Sequence, residues 1–524
     1  MPVKPPKGHQ VSGKQLKALQ ERIKERKLAE ADWEIVQGLA ETVQCLSLAL
    51  AEKDASLGRL CKYLFGAPTE TAKNVLKNLH QQQANEKAEK PQSKKGHGRK
   101  PASAYNGGKK VTIEHPTLNT GDRCPGCEKG KIYELAMPSV FVHVVGDAPL
   151  KATVYERIRL RCNLCGEVFV PELPPEAGEK KHDESAGAML ALLKYGCGLP
   201  LHRLEKLQAN LGHPLPASTQ WDILNASAVI LSPVHDALVQ CAAQGELIHN
   251  DDTAMKVLSF LKQQDPENTR KGIYTTGIVS KWQGRQMALF MTGNRHAGEN
   301  LAELLKRRKT GLSPPIQMCD AASRNASEDF ETILANCMAH ARRQFVELIN
   351  SFPDECTYVI ELLAKVYHHD AIVKEQGLSP EQRLDYHQRQ SGPIMAELEA
   401  WCKKQIDENI VEPNSGLGKA IKYMLKHWVK LTRFLKVPGA PLDNNLCERA
   451  LKHAILHRKN ALFYKTQRGA YVGDLFMSLI HTCQLAGVNP LHYLTWLPKN
   501  AQDLEKTPEN YMPWHYAQPQ SSSQ

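Results

Sequence analysis

No apolar run in this 524-residue chain reaches the ~18 residues that a membrane span needs, and none follows the polar, proline-rich opening MPVKPPKGHQ. Neither a membrane anchor nor a secretory leader is therefore expected, and a cytoplasmic protein is. An acidic balance is also lacking. Lys and Arg number 67 against 56 Asp and Glu, a net charge of +11, which favours a polyanionic partner. A disulfide framework is the third absence. Of 14 cysteines only Cys124, Cys127, Cys162 and Cys165 form a spaced set, which fits metal-bound thiolates in a reducing compartment. At ~150 residues per domain the length allows three or four domains with real cores.

What is present divides the chain. Residues 1–27 form a basic tail, with eight Lys or Arg against Glu21 and Glu25, either solubilising or binding phosphate non-specifically. Residues 28–79 carry Val36, Leu39, Val43, Leu46, Leu50, Lys53, Leu57, Leu60 and Leu64 in alternating steps of three and four. That heptad seam predicts a coiled coil between chains, the alternative being a helix packed on its own domain; Lys53 is a polar intrusion that can set register. Residues 80–112 read as a basic disordered linker in which GHGRKP has the character of a minor-groove arm.

Residues 113–180 hold two CxxC knuckles, Cys124 with Cys127 and Cys162 with Cys165, separated by 34 residues that include a strand-like stretch from Ser139 to Leu160. Four thiolates so spaced predict a zinc ribbon with one structural Zn²⁺. Residues 181–245 are a helical module broken at Gly212–Pro216, with Ser218 as a candidate N-cap; it is either a helix-turn-helix or a plain helical unit.

From 246 to 350 the pattern changes to strands. ELIHNDDTAMKVL, GIYTTGIVS and RQMALFMTG are followed by the amphipathic GENLAELLKRR and then by PPIQMCD. A meander of three strands, a helix and a fourth strand is the ribonuclease-H-like order. Residues 351–440 are helical and read as an insertion, 441–497 return to the core, and 498–524 are a tail.

Asp251 and Asp320 stand at the ends of two apolar runs, and Glu448 opens the basic helix of LDNNLCERALKHAILHRKN. Two strand-end aspartates and a helix glutamate are the hard oxygen ligands that a two-ion phosphodiester site needs. The competing account of Glu448 is a capping box with Asn445. The neighbouring acids Asp252 and Asp443 are assigned to turn and cap roles. His340, Arg342 and Arg343 on the helix after Asn336, and Arg449, Lys452, Arg458 and Lys459 around the glutamate helix, are candidate DNA contacts. The alternatives are a structural histidine and a solvated basic face.

HNDDTAMKVL, IQMCDAASRN, CMAHARRQFVEL, LDNNLCERALKHAILHRKNALF and SLIHTCQLAGVNPLHYLTWLP resemble, in order, the motif blocks of IS66-type insertion-sequence transposases. The zipper ending in LCKYLFG, the GHGRKP linker and the four-cysteine ribbon are similar to that family's front half. Asn250, where a small residue is usual, and CDAASRN depart from the pattern. The resemblance implies a multidomain α+β protein with a ribonuclease-H-like (DDE) core, in which Asp251, Asp320 and Glu448 match the three acidic positions. It further implies two Mg²⁺ or Mn²⁺ ions, cleavage and strand transfer on double-stranded DNA at terminal inverted repeats and target, and a homodimer or higher oligomer. Accessory proteins of the same element and a bacterial, nucleoid-associated location also follow from it. A ribonuclease-H-like nuclease or resolvase, or a non-catalytic DNA-binding descendant, are the other readings.

Overall fold

The structure, a computed structural model, describes residues 111–516 apart from 136–138, 143, 166, 179, 263–271 and 328, together with isolated positions between 19 and 37. The heptad seam apart from Val36, the GHGRKP arm and nearly all of the basic tail and linker lie outside the described residues.

Among the described residues the ribbon region holds one short antiparallel pair, β1 (Leu160–Arg161) with β2 (Val168–Phe169), and an isolated bridge between Arg123 and Lys131. Among the described residues, the stretch expected as a strand from Ser139 forms none before Leu160, and its apolar side chains, Val144, Val145 and Val154 among them, stand exposed.

Three helices follow: α1 (Glu184–Ala191), α2 (Leu201–Asn210) and α3 (Ala217–Ala242). Asp183 caps α1 by accepting from the Ala186 N–H. Gly212, at φ +79°, turns the chain after α2. The N-cap of α3 is Pro216 and not Ser218, because proline's fixed extended backbone ends the loop two residues earlier. The length of α3, 26 residues, and its buried face of Leu224, Ala228, Leu231, Val234 and Leu238 make it a core helix. It shares one apolar core with the sheet, so residues 181–245 pack as part of the same body.

That sheet has five strands: β3 (Leu247–Ala254), β4 (Tyr274–Trp282), β5 (Arg285–Gly293), β6 (Ile316–Cys319) and β7 (Ile333–Asn336), in the order β5-β4-β3-β6-β7. The β3, β4 and β5 pairings are antiparallel, and β6 joins β3 and β7 in parallel. Gln283 and Gly284, both at positive φ, make the two-residue turn between β4 and β5. α4 (Ala297–Leu305) crosses from β5 to β6 and buries Leu301, Leu304 and Leu305. β7 is a fifth strand that the sequence pattern did not show; α5 (Met338–Leu348) begins after Asn336 and Cys337.

α6 (Pro353–Glu375), α7 (Pro380–Gln390), α8 (Gly392–Asp407) and α9 (Gly416–Lys426) build a second core with α5, centred on Phe345, Leu363, Leu398 and Ile421. Then come α10 (Asn445–Ala461), α11 (Gln467–Leu485) and α12 (Pro490–Lys499). α11 closes the outer edge of β5. Asp474, Ser478 and Thr482, one helical turn apart, accept the N–H groups of Thr292, Phe290 and Ala288. A helix thus takes up the donors that an edge strand would otherwise expose. The segment expected as a tail from residue 498 is instead packed as far as Tyr516: Leu504 and Met512 are buried, and Arg285 lies over the Trp514 ring. No helix among the described residues is long and apolar enough to cross a membrane.

Candidate active site

β3 and β6 pair with Leu247 opposite Ile316 and His249 opposite Met318. The same offset carries Asp251 to Asp320, which follows directly after Cys319. Two parallel neighbours therefore present carboxylates side by side where their ladder ends. Asp251 lies inside β3 and not at its end, because β3 continues against β4 to Ala254 after leaving β6. Asn325 joins the pair: its Nδ2 donates to Asp251 Oδ1 at 3.2 Å and to Asp320 Oδ1 at 2.5 Å. Its carbonyl accepts from Asn250 Nδ2 and Gln317 Nε2, so a buried amide network holds the Asp320 loop against both strands. Asn250, the departure from the family pattern, is part of that network. Burial first, then the Asp320 carboxylate, with smaller contributions from Asp252 and Glu448, push Asp251 up to about 7.

Successive strand residues face opposite ways. Asp251 is paired with Gly277, on the face that packs against α10, where a Cβ on Gly277 would lie 2.9 Å from Leu451 Cδ2. Asp252 faces the other way. It was expected in a turn, but it is an inward strand residue whose buried carboxylate meets His296 Nδ1 at 3.1 Å and Arg324 Nη2 at 3.4 Å.

Glu448 comes from the first turn of α10. The capping box with Asn445, the competing account of Glu448, is absent, because the helix starts one residue earlier than the box requires, with Asn444 as its N-cap. The Asn444 side chain is occupied elsewhere. Its Nδ2 donates to Asn250 O at 3.1 Å, its Oδ1 accepts from His249 Nδ1 at 3.0 Å, and its backbone N–H points at Cys337 Sγ at 3.2 Å. Burial drives His249 down to about 4, which keeps its ring neutral for that bond. Asn444 thus ties the start of α10 to β3 and to the head of α5. Asn445 instead pairs with Asp443, whose carboxylate accepts the Asn445 N–H from the position before the N-cap.

Released from capping, the Glu448 side chain turns to α5. Its Oε1 lies 3.6 Å from His340 Nδ1, and its Oε2 4.0 Å from Arg343 Nη2. Arg342 is placed over the Tyr367 ring at 5.0 Å. Arg449, Lys452 and Lys459 are exposed on α10, and a cavity of about 420 Å³ is lined by Lys374, Asp443, Asn445, Glu448, Arg449 and Lys452. Arg458 is used inside the fold, donating to Thr253 Oγ1 and to the Ala254 carbonyl, so it braces α10 on β3.

The Cys124 and Cys127 thiols lie side by side, and backbone N–H groups of Gly130 and Lys129 lower Cys127 below the ordinary thiol range. The Cys162 N–H bonds to Glu167 O. Among the described residues no three of these four sulfurs come within 4.8 Å of one another; the group that does gather metal-type ligands is Cys337, His340 and Glu448.

The profile of the Transposase IS66 family matches residues 182–472, more than half of the sequence. The chain belongs to the IS66 family of transposases. This transposase is also 26% identical over 396 residues to the uncharacterized protein y4jD of Sinorhizobium fredii, covering 71% of this chain and 73% of that protein. It is 26% identical over 407 residues to the uncharacterized protein y4hP of the same organism, covering 74% and 70%. The family match spans β3, β6 and α10, and with them all three acidic positions.

Sequence reading missed Asn325, Asn444 and the role of His249. The only signal for them was position, since each lies within five residues of an acidic candidate; their partners are 195 or fewer residues away in sequence and could not be inferred from spacing.

Proposed function

We propose that this IS66-family protein is a DNA transposase that binds the terminal inverted repeats of an insertion sequence and uses Asp251, Asp320 and Glu448 for cleavage and strand transfer. The observation that carries this reading is the sharing of one Asn325 amide by Asp251 and Asp320 at the open end of a parallel strand pair, with Glu448 near enough to raise Asp251 further. The Asp251 and Asp320 carboxylates held on one amide repel each other, and that repulsion is what divalent cations relieve. The sheet order and the mixed strand directions support a ribonuclease-H-like core.

Asp251, Asp320 and Glu448 would hold two Mg²⁺ or Mn²⁺ ions, which supply a lowered water pKa and neutralise charge at the scissile phosphate. The chain's own residues do the rest. Asn325 fixes the two aspartates, and Asn444 sets where α10 begins and so where Glu448 points. Arg449, Lys452 and Lys459 offer exposed cations to phosphates flanking the reacting bond, with His340, Arg342 and Arg343 on the neighbouring helix. Orientation and charge placement suffice for in-line phosphoryl transfer without a covalent enzyme intermediate.

The Zn²⁺ ribbon, the coiled coil joining two or more chains and the accessory proteins of the element belong to the same reading. For the ribbon, the support is the thiolate-favouring backbone at Cys127; one ion would draw the two knuckles together. The test is an in vitro reaction on DNA carrying the element's own ends with a target duplex and Mg²⁺. Cleaved ends joined to target support the transposase. Cleavage without joining assigns a nuclease or resolvase, and binding alone a non-catalytic descendant.

A further inference from the structure

Glu448 faces a second set of ligands that the carboxylate site does not use. Cys337 is the N-cap of α5 and His340 lies one turn further on, so both side chains emerge at the head of one helix. Cys337 Sγ, a His340 ring nitrogen and a Glu448 carboxylate oxygen all lie within 4.8 Å of one another. His340 Nδ1 and Glu448 Oε1 are each shut off from solvent and have no hydrogen-bond partner, although they are only 3.6 Å apart. Two buried polar atoms left unbonded at that separation are costly, and an ion between them would satisfy both.

The chemistry of the set selects the ion. Thiolate and imidazole are soft or borderline ligands that Mg²⁺ avoids and Zn²⁺ accepts. Ligands of a tetrahedral Zn²⁺ stand ~2.1 Å from the metal and hence ~3.4 Å from one another, close to the spacing already present between His340 and Glu448. Backbone N–H groups of Asn444 and His340 point at Cys337 Sγ, but burial outweighs them and pushes the thiol up to about 12, so it is a bound cation that would draw off its proton. His340 and Glu448 each keep about a quarter of their side-chain surface exposed, 25% and 26%, which leaves one side for a fourth ligand such as water.

We propose that Cys337, His340 and Glu448 bind one ion of the Zn²⁺ class, at a site distinct from the Asp251–Asp320 pair. Binding displaces the Cys337 thiol proton to solvent and forms metal–sulfur, metal–nitrogen and metal–oxygen bonds with no change of oxidation state. Glu448 is the one residue common to the two sites. Resting on the proposed Mg²⁺ role of Glu448, the consequence is that a bound soft ion withdraws this carboxylate and holds the protein inactive.

The test uses the full chain with Co²⁺ as the probe, comparing wild type with Cys337→Ser and His340→Gln. Wild type should bind one more Co²⁺ per chain than either variant. Cys337→Ser should lose part of the thiolate-to-cobalt absorption, while the absorption due to the other cysteines persists. Equal stoichiometry and equal absorption in all three proteins overturns the proposal. If Cys337→Ser melts early, His340→Gln, at a partly exposed position, decides the matter. In Mg²⁺-dependent DNA cleavage, added Zn²⁺ should inhibit wild type, and Cys337→Ser should need at least ~10-fold more. Absence of any Mg²⁺-dependent cleavage refutes the carboxylate reading alone, since the Co²⁺ count still decides the soft site.

Discussion

Replacing Asp251 by asparagine should change how stability depends on pH, and the direction follows from its surroundings. Asp251 is raised from 3.8 to about 7 by burial and by the Asp320 carboxylate. A carboxyl group that holds its proton more tightly when folded contributes stability below the unfolded value, and that contribution is lost as pH rises through the folded value. Three pH units correspond to about 4 kcal/mol, and contact with water at the open strand end reduces this to on the order of 2–4 kcal/mol. Asp474, buried beneath β5 and also raised to about 7, contributes with the same sign, so only the difference between two proteins isolates Asp251. In chelator, the melting temperature of wild type should fall relative to Asp251→Asn between about pH 4 and pH 8, by roughly a few degrees. Mg²⁺ should then restore wild type at pH 8 and do little at pH 5, because the cation replaces the proton, and it should protect the variant much less. Parallel pH profiles, or equal protection of both proteins by Mg²⁺, would refute the reasoning.

Three further outcomes are expected. Asn444→Ala leaves the His249 ring N–H and the Asn250 carbonyl unpaired in the core, so it should cost on the order of 2–4 kcal/mol in denaturant unfolding and depress DNA cleavage even where the variant is folded; unchanged melting and cleavage would remove Asn444 from the account. Purified protein should contain about one ribbon Zn²⁺ per chain, in addition to any ion at Cys337, and Cys162→Ser should release it; a fully folded chain with metal-free knuckles contradicts the ribbon. A peptide of residues 28–66 should gain helix and mass with concentration, and Leu46→Pro in the whole chain should impair pairing of two DNA ends more than binding of one; a monomer at every concentration argues against the coiled coil.

The strands and the two aspartates were legible because a half-buried strand writes its period into the sequence. HNDDT and IQMCD carry apolar runs that stop at the acids, and the structure pairs those runs in parallel with the aspartates level. β7 was not legible. Its four residues, ILAN, are too few to show a period, and they run straight into a helix that does. The start of α10 was ambiguous for a different reason. Asn444, Asn445 and Glu448 satisfy the local grammar of a capping box one residue out of place, and what decides between the asparagines is the buried carbonyl of Asn250, which is 194 residues away. Asp252 was assigned to a turn because nothing local reveals that the strand continues past Asp251; the β4 ladder, running to Tyr274 opposite Ala254, carries it on. Local chemistry thus marked the acids, and long-range hydrogen bonds fixed the direction in which each one points.

The central claim is tested most directly by strand transfer on the element's own DNA ends with Asp251→Ala, Asp320→Ala and Glu448→Ala, each compared with wild type for cleavage, joining and DNA binding in Mg²⁺. The account predicts that each variant binds DNA yet neither cuts nor joins it, and that a double variant is no worse than a single one, because ligands of one site act as a unit. Full strand transfer by Glu448→Ala would contradict the account.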